Sequence, residues 1–138
     1  MNLVDQLLKA DVKKAKELET GEYQSRRLAK ILESEEKTLP VKIREIKSRR
    51  MNDIVSYQFK NNGDMDFSKT YDAALMVCVE GCMEPDLMNK ELQSHFGCSS
   101  AKELAETLFQ AEAKELADAI TGLSGITEED DKEKEVKN

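Results

Sequence analysis

Apolar residues recur along this chain at helical spacing, in short bursts separated by charged stretches. Leu3, Val4, Leu7 and Leu8 repeat one turn apart and predict a two-turn helix at the N-terminus. Residues 9–22 are charged and close on Thr20-Gly21, which reads as a boundary. Leu28, Ile31 and Leu32 predict a second short helix. Leu39, Val41 and Ile43 alternate with other residues around Pro40, a period of two, so 39–45 is expected to hold one short extended segment. Ser48 is placed to cap a helix reaching about Lys60, with Met51, Ile54, Val55 and Tyr57 or Phe59 on its buried side. Asn61-Asn-Gly-Asp64 is turn chemistry, because Asn and Gly tolerate positive φ. Ser68 is then placed to cap the most apolar helix, 69–82. Tyr71, Ala74, Leu75, Cys78, Val79 and Cys82 fall on one face of it, and Gly81, Pro85 and Asp86 end it. This helix is expected at the centre of the core.

Leu87, Met88, Leu92 and Phe96 predict a further short helix stopped by Gly97. The C-terminal third holds a pair of striped helices. Ser100 and Glu103 form a capping box ahead of Leu104, Leu108 and Phe109, and Leu116, Ala117, Ile120 and Leu123 mark the last helix. From Thr127 onward six acids and three lysines surround a single valine, a composition that cannot offset its ordering entropy and is expected to stay disordered. The predicted architecture is therefore mainly α. It is a compact bundle of five to six short helices over residues 1–126, one short β segment near 39–45, and a disordered acidic tail at 127–138.

Composition supports this picture. The 138 residues suit one domain, which buries roughly 65–70% of its unfolded surface and needs no metal or disulfide staple. Apolar residues make 39% and charged ones 36%, with two prolines and no tryptophan. The net charge of −7 is unevenly spread, with cations in excess over residues 1–50 and acids dominating thereafter. That balance argues against broad phosphate-backbone binding and favours protein partners. Three cysteines make no disulfide framework. Met1-Asn-Leu-Val-Asp-Gln-Leu-Leu-Lys has no secretory pattern and no stretch is long enough to span a bilayer, so a reducing cytoplasm is the expected compartment.

Candidate chemistry is sparse. Cys78, Cys82, His95 and Cys98 have the number and type of ligands for a tetrahedral zinc site. Their spacing lacks the two-residue knuckle, and two of the cysteines share the apolar stripe of helix 69–82, so core thiols and no metal are expected. His95, in a helix's last turn, complements the helix dipole, and no motif pairs it with a nucleophile. Asn61 to Asp66 lacks the ligand periodicity of a calcium loop, and no phosphate-binding glycine loop occurs. No catalytic residue or cofactor is therefore assigned. Lys42, Arg44, Lys47, Arg49 and Arg50 form a basic stretch. It reads as a nucleic-acid patch, as a solvated face, or as a match to an acidic partner, and the acidic whole favours the last two.

Three stretches in order carry a family resemblance. They are Leu7-Leu8-Lys9-Ala10-Asp11, then Ser25-Arg-Arg-Leu-Ala-Lys-Ile-Leu leading to Val41 and Ile43, then Leu108-Phe109 and Ile120-Thr-Gly-Leu-Ser-Gly125. Together they resemble the XkdN-like tail-assembly chaperones of phages and defective prophages of Gram-positive bacteria, over residues 1–126. The resemblance implies a non-enzymatic cytoplasmic protein that coats the long, apolar, helical tape-measure protein until tail-tube subunits polymerise around it. It also implies that a longer translational-frameshift product often accompanies such a chain. The expected partner is the tape-measure protein or another tail protein, with homo-oligomers as a further expectation and no membrane or nucleic acid. The expected partner-binding residues are Leu104, Leu108, Phe109, Leu116, Ile120 and Leu123, with Lys42, Arg44, Arg49 and Arg50. Methionines 51, 65, 76, 83 and 88 either adapt to varied apolar partners or fill gaps in the core. The alternative function is a small helical nucleic-acid-binding regulator that uses residues 42–50.

Overall fold

In the computed structural model, which describes residues 2–125, eight helices and three strands follow one another. They are α1 (Leu3–Leu8), α2 (Val12–Lys16), β1 (Thr20–Ser25), α3 (Arg26–Ile31), β2 (Leu39–Arg44), α4 (Ser48–Tyr57), α5 (Thr70–Gly81), β3 (Cys82–Glu84), α6 (Lys90–His95), α7 (Ala101–Phe109) and α8 (Glu112–Gly122). The acidic tail at 127–138 lies outside the described residues. The architecture is mixed α and β: the expected mainly helical bundle of five to six helices with one short β segment has eight helices and a three-stranded sheet.

The alternation at 39–45 does form a strand, and that strand is the centre of a three-stranded antiparallel sheet of order β1-β2-β3. Val41 and Ile43 point into the core while Lys42 and Arg44 face solvent, as a period of two requires. β1 runs antiparallel beside β2 in full register, with Tyr23 opposite Val41 and Gly21 opposite Ile43. β1 occupies the segment whose Thr20-Gly21 pair reads as a boundary. It carries only Tyr23 as a large apolar anchor, so its pairing with β2 defines it more than its own pattern does. Gly21 lies under α8's end: a Cβ there would come within 3.0 Å of Leu123. β3 adds three residues to the other edge of β2, with a register irregularity at Lys42 and Ile43.

α5 is the central helix. Ala73, Leu75, Val77, Cys78 and Gly81 are buried, whereas Tyr71, Ala74 and Val79 are only half-buried. The buried set differs from a single stripe because α5 is enclosed by α7 and α8 on one side and by α4 on another. A helix that is apolar around most of its circumference belongs in such a position. α8 presents Ala113, Leu116, Ala117 and Ile120, spaced i, i+3, i+4, i+7, to α5. Small residues let the two backbones approach closely. A Cβ on Gly81 would lie 2.5 Å from the Ile120 side chain, so this position has no room for one.

Helix ends account for several boundaries. α6 stops in a Schellman motif: the Cys98 N–H donates to the Gln93 carbonyl at 2.8 Å and the Gly97 N–H to Ser94 at 3.1 Å, with Gly97 at φ +71°. Ser100 accepts from the Glu103 N–H at 3.1 Å and so caps α7. The reciprocal arm of the capping box is shifted by one residue, because the Glu103 carboxylate accepts from the Ser99 N–H and hydroxyl. Two expected caps are corrected. Ser48 is the first residue of α4 and makes no cap bond. Asp66, rather than Ser68, caps the 3-10 turn Phe67–Lys69 that leads into α5. Asn61 to Asp64 does turn the chain, with Gly63 at φ +90°, and closes an antiparallel bridge between Phe59 and Met65.

Candidate functional site

The two C-terminal stripes are the first candidates from the sequence, and the fold uses them internally. Leu104, Phe109, Leu116 and Ile120 are 0% exposed and Leu108 3%. Leu123, half-buried, rests against Gly21. The stripe of these expected partner-binding residues faces the domain's own core, because α5 and the sheet supply the matching apolar surface. Glu112, at the start of α8, is buried with them. Its carboxylate accepts from the Ser25 hydroxyl and from the Arg26 N–H at 3.1 Å. The Arg27 guanidinium donates to the Thr107 carbonyl at 3.0 Å. This polar seam ties β1 and α3 to α7 and α8 and leaves no buried side-chain polar atom unpaired among the described residues. Glu115, beside it, accepts from Tyr23 and Arg26. The hydrogen bond to Glu115 adds to burial in pushing the Tyr23 phenol well above its ordinary range. Nothing in the sequence pattern singles out Glu112, since a glutamate in the first turn of a helix is unremarkable until its partners are known.

The four candidate zinc ligands do not converge. Cys78 and Cys82 are buried, Cys98 is half-buried and His95 is exposed at the end of α6. Among the described residues no three His, Cys, Asp or Glu side chains are grouped to hold a metal. The Cys78 thiol donates to the Ala113 carbonyl at 3.3 Å. Burial pushes the Cys82 thiol up to about 12 and Cys78 further still. At pH 8 both lie far below their titration and stay protonated. Alkylation of the native protein at pH 8 is expected to label Cys98 first. Cys78 and Cys82 should react on the order of a hundredfold or more slowly until denaturant is added. Mass mapping of labelled peptides over time checks this, and equal labelling of all three would contradict the packing of α5.

The basic stretch is split between two elements. Lys42 and Arg44 lie on the solvent face of β2, Arg49 and Arg50 on the first turn of α4, and all four are exposed. Acids from elsewhere in the fold interrupt it. Arg50 pairs with Glu80 at 2.9 Å, Lys42 with Glu84 at 3.5 Å, and Arg44 Nε donates to the Glu80 carbonyl at 3.4 Å. A single-sign stripe for a nucleic-acid backbone is not what this surface presents.

Apolar side chains are open to solvent elsewhere on the domain, and three places stand out. One is α1, which buries none of its residues and leaves Leu3, Val4, Leu7 and Leu8 63–80% exposed. The sequence pattern marks these leucines as a helix. Their isolation behind the charged residues 9–17 is the signal that they belong to no core. The second place is the bridge after α4. Antiparallel pairing sets Phe59 and Met65 opposite each other, so their side chains share a face, and Phe67 follows two positions on, 77% exposed. Lys60, Asp64 and Asp66 flank these residues in sequence, and the Lys69 ammonium sits 5.0 Å from the Tyr57 ring centroid. Of the methionines, Met65, Met83 and Met88 are exposed while Met51 and Met76 pack against the core.

The third place is a cleft of about 830 Å³ between the end of α2, the β2–α4 connection and the end of α8. Leu18, Ile46, Met51 and Ile120 form its apolar wall, and Lys16, Glu17, Glu45 and Lys47 line its rim. No helix among the described residues is long and apolar enough to cross a membrane.

Comparison with known proteins places these surfaces in context. The model of a family described as phage XkdN-like tail assembly chaperone proteins matches residues 4–137. No curated protein matches the chain. Among solved structures, the crystal structure of the protein YqbN, a structural-genomics target, is similar with a TM-score of 0.56 and 14% identity, over 80% of this chain and 90% of that one. At that identity the likeness is one of fold.

Proposed function

Because the chain belongs to the XkdN-like phage tail assembly chaperones, we propose that it binds and solubilises the tape-measure protein while a tail is built, in the bacterial cytoplasm and without catalytic chemistry. A tape-measure client is long, helical and apolar, and its faces have no partner until tail-tube subunits enclose them. A chaperone for such a client needs an apolar contact that is open in the folded state and a charged exterior that keeps the complex dissolved.

The observation that supports this reading best is the Phe59, Met65 and Phe67 patch. It is held open on a hairpin-like turn, is built from residue types enriched at interface centres, and is flanked in sequence by charged residues. Methionine adapts to a series of differing apolar helical faces, which a long client presents in succession, and phenylalanine supplies large apolar area. The net charge of −7 suits the solubilising role. The testing experiment is co-expression with a tape-measure protein from a tail of the same kind. The client is expected to shift from the insoluble to the soluble fraction and to be retained on a tagged copy of this chain. If the client's solubility is unchanged and no complex is recovered, the reading fails.

A further inference from the structure

The two edges of the sheet are built differently. β3, at one edge, is three residues long, has an irregular register and is followed by Pro85. Short length, irregularity and proline all keep an edge from accepting another strand. β1, at the other edge, runs six residues in unbroken register and contains no proline, lysine or bulge. The ladder shows which of its groups are open. The Glu45 N–H donates to the Glu19 carbonyl at 2.8 Å, so these two residues form a hydrogen-bonded pair. Strict alternation makes Gly21 with Ile43, Tyr23 with Val41 and Ser25 with Leu39 the next such pairs. Thr20, Glu22 and Gln24 therefore turn their N–H and C=O groups toward the free edge, and all three residues are exposed. Among the described residues no strand pairs with that edge.

The solvent face of the sheet indicates what fits there. Glu84, Lys42 and Glu22 stand opposite one another on successive strands. Lys42 pairs with Glu84 at 3.5 Å, whereas Glu22 is in no ion pair among the described residues. The row alternates in sign and ends on an acid at the open edge. A cation directly opposite Glu22 continues the row, and an acid there is repelled. A second copy is a poor occupant for this reason. Two β1 edges paired antiparallel in full register set Glu22 against Glu22. On the inner face the Tyr23 hydroxyl is already engaged, donating to Glu115 at 2.8 Å, so the selective position is the one beside Glu22.

We infer that the free edge of β1 is a docking site for an extended segment of a partner protein, which adds as a fourth, antiparallel strand and places a lysine or arginine opposite Glu22. Main-chain hydrogen bonds at Thr20, Glu22 and Gln24 hold the segment, and the charge row selects it. This edge is a different surface from the Phe59, Met65 and Phe67 patch, and its use does not depend on the identity of the client bound there.

The probe is the capped hexapeptide Thr-Thr-Val-Lys-Val-Thr, whose lysine stands opposite Glu22 when the peptide lies antiparallel along Thr20–Ser25. One counterpart carries glutamate in place of the lysine. Another keeps the lysine and carries a methyl group on its backbone nitrogen, which removes the N–H that faces Glu22. Amide NMR spectra of the full chain are followed with each peptide up to millimolar concentration at low salt. The lysine peptide is expected to shift the amides of Thr20, Glu22 and Gln24 and to slow their exchange. It should bind roughly threefold to tenfold tighter than the glutamate peptide, and the methylated peptide should not bind. Glu22→Lys is expected to reverse the preference. Glu22→Gln, which keeps the size and removes the charge, should abolish it and decides the point if circular dichroism shows that Glu22→Lys is unfolded. No shift at β1 with the lysine peptide, shifts centred elsewhere on the domain, equal affinity for the lysine and glutamate peptides, or undiminished binding of the methylated form would each overturn the inference.

Discussion

Truncating Phe109 to alanine is expected to destabilise the domain by about 3–5 kcal/mol, read as a lower urea midpoint at an unchanged slope. Phe109 is 0% exposed at the end of α7, where α7, α8 and α5 meet, and its ring cannot be removed without leaving a cavity that rigid helices on three sides do not close. The size of the effect separates two uses of the same stripe. As part of an open binding face, the residue would cost about 0.5 kcal/mol or less of stability and would weaken a complex instead. As part of the core it unfolds a large share of the molecules and affects binding only through that loss. A midpoint that did not move would mean that α7 is not packed as described.

Replacing Phe67 by serine is expected to do the converse. At 77% exposure the side chain contributes little to the fold, so the urea midpoint should stay within about 0.5 kcal/mol of the original. Recovery of soluble tape-measure client in co-expression should fall roughly tenfold or more, the scale of losing one central apolar anchor. Leu7→Glu is the informative companion. It alters α1 rather than the patch, so the chain should bind a short tape-measure segment as tightly as before. If Phe67→Ser left the client fully soluble, the patch would not be the contact.

The two substitutions also show where local pattern ends. Phe109 and Phe67 are both aromatic residues beside helix boundaries, and composition treats them alike. One is sealed and the other open because of what the fold brings next to them. Local chemistry does determine a good deal here. The αL glycine that ends α6, the serine that caps α7, the Asn-Gly turn at 61–64, the alternation of β2 and the apolar run of α5 are all written within a few residues of where they act. Each depends on short-range geometry, which is what a sequence window contains. β1 and β3 are different. Thr20–Ser25 and Cys82–Glu84 are strands chiefly because β2 offers unpaired N–H and C=O groups on both its edges. The shift of caps from Ser48 and Ser68 has the same origin, since where a helix starts depends on how the preceding loop is held.

By itself the sequence determined the positions of most helices, the central strand, an acidic and thinly cored composition, and the likeness to a family of tail assembly chaperones. Only the tertiary structure decided which apolar stripes are interior. α7 and α8 find α5 and the sheet opposite them and vanish into the core, while α1, behind a charged linker, and the Phe59–Met65 bridge find nothing and stay at the surface. The physical reason is that hydrophobic attraction has no direction. A stripe records that a side chain will leave water, and the packing of the whole chain selects whether it does so against its own domain or against another.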